Sequence, residues 1–340
     1  MDSKKAFVLA SFAVLALLPL ASGAYGIDLV TKIMIYAILA LGLELLVGTT
    51  GLVCFGQAAF FGIGAYAVVL LSPEFEPASI LWLLPACVAA AALFALVVGA
   101  LSLRTKGVYF IMVTLAFSQM AYYVVHDTPL GGGTDGIYLN ARPALGSWLD
   151  LDDPLVLYGF TLACLVGVFC GLALLLRSPF GRALAGIRVN EQRMRATGFS
   201  TYPYKLAAFT VSGAIAGLAG FLFAAKNAYV NPELMSWHMS GAVLVMIILG
   251  GLGHLRGALI GAFAYVLLQE FFKSEAVFGD FSKHWHLGLG LTIIASVALL
   301  PRGLVGLPAL WRDRLTGKAH RQAAAAAGAT GTTGVNGRQG

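Results

Sequence analysis

Charge is what this chain has least of. Lys, Arg, Asp and Glu together make up 11% of its 340 residues, against about a quarter in a soluble domain. Hydrophobic residues make up 59%. A water-soluble fold of this length needs far more polar surface to cover its core, so a soluble globule is excluded. Cysteine is scarce too. Cys54, Cys87, Cys164 and Cys170 all fall in or beside apolar runs, at no metal-ligand spacing. They read as small packing residues and imply no disulfide framework. The phosphate-binding loop is missing: the one Gly-Lys pair, Gly317-Lys318, is followed by Ala319, so ATP is not hydrolysed here by that route. Neither G-x-S-x-G nor H-E-x-x-H occurs, which removes two common hydrolase chemistries. His284-Trp285-His286 reads as an interfacial aromatic cluster, because residues two apart on a helix do not face each other. Carboxylates are nearly absent from the apolar runs. Glu44 and Glu270 each lie near the end of a run and are expected to snorkel toward the interface. A proton-driven pump would thread such groups through mid-membrane, so the energy for any transport has to come from elsewhere.

What the chain does have is apolar length. A helix needs about 20 mostly apolar residues to cross the hydrocarbon core. Ten runs are candidates: 6–24, 29–47, 52–71, 80–101, 108–125, 154–176, 206–225, 239–252, 257–272 and 285–300. The expected fold is an all-α polytopic transmembrane helix bundle of about ten spans, with eight to ten possible and both termini cytoplasmic. Runs 239–252 and 257–272 are short and Gly-rich, so one of them is a candidate for a broken or re-entrant helix. With the N-terminus inside, seventeen of the 22 Lys and Arg fall in inner loops and five in outer ones, as the positive-inside rule requires. The first run also has the features of a cleaved signal peptide, with Lys4, Lys5 and the small residues Ala21, Ser22 and Gly23. Whether residues 1–23 are retained stays open, and the later orientations are the same either way.

The expected organisation is one membrane domain, 1–311, and a disordered cytoplasmic tail, 312–340, too poor in apolar residues to fold. An outer loop, 126–153, is acidic and carries Gly131-Gly132-Gly133-Thr134-Asp135-Gly136. An inner loop, 177–205, carries six basic residues and one acid, Glu191. One short amphipathic helix fits 181–197, started by Ser178-Pro179 and ended by Gly198. Glycines crowd 48–64 and 250–261, where they allow close helix packing or a backbone break beside a cavity. Gln57, Thr114, Ser118 and Gln119 are uncharged polar residues inside runs, suited to bond a polar solute or a neighbouring helix. Gly51-Leu52 leading to Tyr66 and Gly251-Leu252 leading to Tyr265 form a weak internal echo, of the kind repeated transporter halves leave.

Six strings then occur in order. Residues 48–66 read GTTGLVCFGQAAFFGIGAY, 104–119 read RTKGVYFIMVTLAFSQ and 131–137 read GGGTDGI. Residues 177–198 read RSPFGRALAGIRVNEQRMRATG, 243–261 read VLVMIILGGLGHLRGALIG and 300–304 read LPRGL. Together they resemble the LivM-type permeases of bacterial branched-chain amino acid ABC importers. The resemblance implies a subunit without its own ATPase site or bound cofactor, working with ATP used by partner subunits. Those partners would be a LivH-like second permease, two cytoplasmic LivG/LivF-like ATPases and a periplasmic or lipid-anchored solute-binding protein, in membrane lipid and without nucleic acid. It implies that Arg188, Glu191, Arg195 and Gly198 couple to an ATPase, although QRMRAT is more basic than the alanine-rich usual form. It places Gln57 and its stretch, including Gly56, by the substrate pathway, to which the polar Thr114 and Gln119 are added as candidates on their chemistry, and it matches Gly132, Thr134 and Asp135 to an outer gate or docking element. The urea and short-amide permeases share this architecture and are the near alternative. A standalone secondary carrier is a third reading, and an intramembrane enzyme would need a nucleophile and base that the sequence does not show.

Overall fold

The computed structural model describes residues 12–19, 23–73, 77–145, 149–274, 278–300 and 303–307. The expected tail, 312–340, lies outside them, as do residues 6–11 and 20–22 of the first run. The molecule is a helix bundle. Helix α1 covers 12–19. It is followed by α2 (Ala24–Glu44), α3 (Gln57–Leu71), α4 (Ile80–Ser102), α5 (Val108–Asp127) and α6 (Pro154–Arg177). Two short helices come next, α7 (Pro179–Val189) and α8 (Glu191–Ala196), then α9 (Thr201–Asn227), α10 (Trp237–Gly250), α11 (Leu255–Lys273) and α12 (Trp285–Leu299). Among the described residues, strand is limited to two-residue pairs in the loops that join helix ends. Among the described residues six helices are long and apolar enough to cross a membrane: α2 with its continuation to Thr50, α4, α5, α6, α9 and α11. Helices α3 and α10 are apolar but shorter.

Burial sorts the helices into layers. The best apolar window of α2 is 89% buried, against 17% in α5 and 22% in α6. Helix α2 is therefore the axis of the bundle, packed by α6, α9, α10 and α11, while α5 and α6 turn most of their apolar surface outward, where lipid solvates it. Small residues set the tightest contacts. On α9, Gly213 and Gly217 lie against Ala95 and Ala91 of α4; a Cβ on either glycine would come within 2.5 Å of the facing alanine methyl. That is a small-xxx-small face on both partners, the pattern that lets backbones approach when no hydrophobic drive separates helix from lipid. The glycines at 250, 257 and 261 do the same between α10 and α11, where added methyls would meet backbone oxygens within 2.4 Å.

Two stretches leave helical geometry inside the bundle. Helix α3 spans only about 22 Å at 1.5 Å per residue, less than the roughly 30 Å hydrocarbon core. It starts at the level of Ser212, about 16 Å along α9 from its first residue, because Gln57 packs on Ser212 there. The chain from Gly51 to Gly56 thus runs irregularly through one half of the bundle. The second stretch is Tyr229 to Ser236 ahead of α10. Its Met235 carbonyl accepts the Ser118 hydroxyl from the middle of α5, and Met235 packs over Gly62 of α3. Irregular backbone at that depth is tolerated when protein surrounds it and bonds its polar groups. Runs 239–252 and 257–272 form two separate helices joined by a tight Gly-rich turn; α10, in the first run, is shorter than a span and begins beside the middle of α5, as a broken helix would.

Candidate translocation and coupling site

The sequence-selected polar residues gather where α3 begins. Gln57 is fully buried: its amide nitrogen donates to the Ser212 carbonyl at 3.5 Å, and its Oε1 lies 3.2 Å from the Ser212 hydroxyl, which bonds the Gly42 carbonyl at 2.7 Å. Helices α2, α3 and α9 meet at this node. Gly56 donates its N–H to the Cys54 sulfur. Thr114, also buried, accepts the Phe55 N–H at 3.3 Å, which ties α5 to the same irregular stretch. Ser240 was not singled out in the sequence; its hydroxyl donates to Phe55 and accepts from the Ala58 N–H, capping α3 from α10. Gln119 stands apart, with its buried side-chain nitrogen unbonded. A lone serine inside an apolar run was the only available sign of Ser212 and Ser240.

An open cavity of about 890 Å³ lies at the other end of the bundle. Its lining combines aliphatic residues such as Met239, Ala242, Val245, Leu289 and Ile293 with the aromatics Tyr122, Phe223, Tyr229, Tyr265 and Trp285 and the polar Asn231, Glu233, Ser236 and His238. That size falls within the roughly 300–1,000 Å³ usual for small-molecule sites. Glu233 is exposed and makes no ion pair among the described residues. None of Gly56, Gln57, Thr114 or Gln119 lines this cavity.

The outer glycine motif folds into a turn that docks on the Tyr229–Ser236 stretch. Gly132 takes φ +71°, and any Cβ there would meet the Gly136 carbonyl at 2.3 Å. Thr134 bonds Asp135 at 3.4 Å, the Asp135 carbonyl accepts the Tyr229 hydroxyl at 2.9 Å, and Ile137–Tyr138 pairs with Tyr229–Val230. Gly132, Thr134 and Asp135 are thus brought together beside the cavity mouth.

The inner loop differs from the single helix expected over 181–197. Asn190 takes φ −158° and ψ 100°, so α7 ends there, and its side chain accepts the Arg193 N–H to start α8. An Asn before Glu-Gln-Arg is an N-cap signal, legible in the sequence but overridden by the apolar spacing. At the far end Gly198 takes φ +90°, with Gly198 N–H bonded to Arg195 and Phe199 N–H to Met194, a Schellman cap. Glu191 staples the pair to the bundle. It accepts from Arg195 and Lys205, both at 2.6 Å, and from Thr201 at 3.0 Å. Burial pushes its pKa up, but these three hydrogen bonds and the Lys205 charge outweigh that and bring it down to about 2. Arg188 turns inward and donates to the Gly48 carbonyl. Glu44 does not snorkel: it is 1% exposed, and Oε1 accepts the Gly253 N–H at 2.6 Å. Its depth was misjudged because α2 is the axis of the bundle, so even its end is covered by protein.

A multi-pass helical bundle with mid-depth helix breaks and an exposed basic helix pair tied to its core is the architecture of an inner-membrane permease. Residues 26–296 match the family described as branched-chain amino acid transport system / permease component, and the chain belongs to that family. It is 32% identical over 326 residues to the high-affinity branched-chain amino acid transport system permease protein LivM of Salmonella typhimurium, covering 89% of this chain and 75% of the relative. Identity to LivM of Escherichia coli is 32% over 302 residues, covering 82% and 69%. The L-arabinose transport system permease protein AraH of Escherichia coli is 31% identical over 216 residues, covering 62% and 60%. No solved structure matches the chain.

Proposed function

We propose that this chain is the LivM-like permease subunit of an ABC importer for branched-chain or related hydrophobic amino acids, forming half of the translocation pathway. The observation that carries the reading is the α7–α8 pair: a basic helix pair, stapled by Glu191 to the base of α9 and linked by Arg188 to α2, with Arg193 exposed on its outer face. That is a part built to be gripped and moved as a rigid body. Separate ATPase subunits are its proposed partners, with a second LivH-like permease and a solute-binding protein completing the complex.

The amino-acid assignment draws on the LivM relatives and on the chemistry of the outer cavity. Its aliphatic and aromatic wall suits a hydrophobic side chain, and the Glu233 carboxylate among its lining suits an α-ammonium group. Gln57 and Thr114 hold α3 in place behind it. The alternative of a urea or short-amide solute has no use for that wall. The ten-span topology with both termini inside belongs to the same reading.

The test is to purify the tagged chain with its native partners and reconstitute the complex in liposomes with ATP inside. Labelled leucine should accumulate when the binding protein is present, and Ala242→Trp, which projects an indole into the cavity, should cut uptake at least tenfold. Accumulation of urea in place of leucine, or ATP hydrolysis by the chain alone, would refute the reading.

A further inference from the structure

The inner end of α2 holds a carboxylate that nothing above has used. After Glu44 the helix widens into a π-helical turn, Leu45–Thr50, a rare geometry that gathers at functional positions. Glu44 lies folded over Gly48: a Cβ on that glycine would stand 1.8 Å from Oε1. The Gly253 and His254 amides of the α10–α11 turn both face the carboxylate, and Oε1 takes the Gly253 bond. Oε2 is buried and carries no hydrogen bond. On the other side of Gly48, Arg188 of α7 donates to that residue's carbonyl, and a Cβ on Gly253 would stand 3.6 Å from its Nη1. One carboxylate, one guanidinium and two glycines therefore connect three elements: α7, the wide turn of α2 and the α10–α11 turn.

Two features make this arrangement incomplete as it stands. A buried carboxylate oxygen without a donor is costly, and a guanidinium spends less than its capacity on one neutral carbonyl when a carboxylate is near. There is also room for the pair to rearrange. A cavity of about 480 Å³ borders Arg188, Gly48 and Gly253, with Leu176, Gly181 and Ala185 on its other sides.

We propose that Glu44 and Arg188 are the joint through which movement of α7 reaches the bundle. In this conformation Arg188 holds the Gly48 carbonyl; when α7 is displaced, the guanidinium moves onto Oε2 of Glu44. Because Oε1 of the same carboxylate holds Gly253, the shift pulls the α10–α11 turn, and α10 carries Met239, Ala242 and Val245 into the outer cavity. Both are positioning residues and neither touches solute. The proposal rests on the reading of α7–α8 as an ATPase-facing element, and it adds Glu44, Gly48 and Gly253 as the path inward.

The test uses the reconstituted complex, with Cys170 replaced by Ser and a reporter cysteine at His238 in the cavity lining. Its labelling rate with a maleimide is read with and without ATP and vanadate, which needs no solute. In the parent complex ATP should change the rate severalfold. Glu44→Gln keeps an oxygen for Gly253 but removes the charge; it should abolish the change while ATP hydrolysis stays within about twofold. Arg188→Gln should also abolish the change in labelling, Arg188→Lys should restore part of the response, and the double variant should be no worse than either single one. An ATP response that survives Glu44→Gln, or losses that add in the double variant, would overturn the joint. If Glu44→Gln fails to assemble, the Arg188 pair of variants decides alone, and equal responses from Gln and Lys would overturn it. A parent complex whose reporter never responds to ATP would instead overturn the coupling reading itself.

Discussion

Glu191 shows how much work a single ionised residue does at the edge of this bundle. With Lys205, Arg195 and Thr201 bonded to it, its carboxyl titrates near 2, below the roughly 4.3 of a free glutamate. A folded-state pKa below the unfolded one means stability that is complete above the unfolded value and lost as pH falls toward the folded value. The melting temperature of Glu191→Gln in detergent should therefore lie below that of the parent by a constant amount from about pH 8 to pH 5, and the gap should close only below about pH 4. A gap that widened between pH 6 and pH 8 would assign the effect to another group. The importance of Glu191 was legible, since it is the one acid in a basic loop that matches a family motif. Its partners were less so, because Lys205 is fourteen positions away across a turn and only the fold of α8 back onto α9 closes that distance. Glu44 failed for a different reason. Hydropathy reports distance along a helix, and burial in this bundle depends on distance from its axis.

At the scale of elements, glycine spacing decides which helices touch. Gly220 of α9 faces the backbone of α3: a Cβ there would lie 2.0 Å from the Phe61 carbonyl and 2.8 Å from the Ala65 nitrogen. No side-chain rotation relieves a clash with backbone, so Gly220→Ala has to spread the two helices, at a cost of about 1–3 kcal/mol. That outweighs the gain of up to about 1 kcal/mol in helix propensity. The expected result is a melting temperature several degrees lower, with Gln57 and Ser212 drawn apart and uptake reduced. Gly241 of α10 has open space around its Cβ position, so Gly241→Ala should be neutral or slightly stabilising; equal effects from the two would show that propensity dominates. The glycine-rich runs were legible as close-packing surfaces. Which helix each one meets was not, because a small-residue face does not name its partner. The mid-depth start of α3 was equally hidden, since it depends on Ser212 and Ser240 arriving from helices far along the chain.

For the whole molecule the decisive question is which end of the bundle faces the ATPase. The polar contacts divide by end. Lys32 with Glu270 and Asp28 with Lys226 join the start of α2 to the ends of α11 and α9, and Arg142 pairs with Asp152 within the loop before α6 while donating to the Lys226 carbonyl of α9. At the opposite end Arg188 meets Gly48, Tyr202 meets the Ala100 carbonyl at 2.8 Å, and Lys205 meets Glu191. Each partner lies at the end that strict alternation of spans gives it, so reversing one end reverses every loop together. Arginine-rich loops resist translocation, and on that ground we propose that the α7–α8 end faces the cytoplasm. Val189 is 86% exposed at that end and Tyr138 is 71% exposed at the other. In a background without Cys170, a membrane-impermeant maleimide added to intact cells should label Tyr138→Cys at once and Val189→Cys only after permeabilisation. The reverse order would turn α7–α8 outward, beyond the reach of any ATP-hydrolysing partner, and the outer cavity would then open to the wrong compartment for uptake.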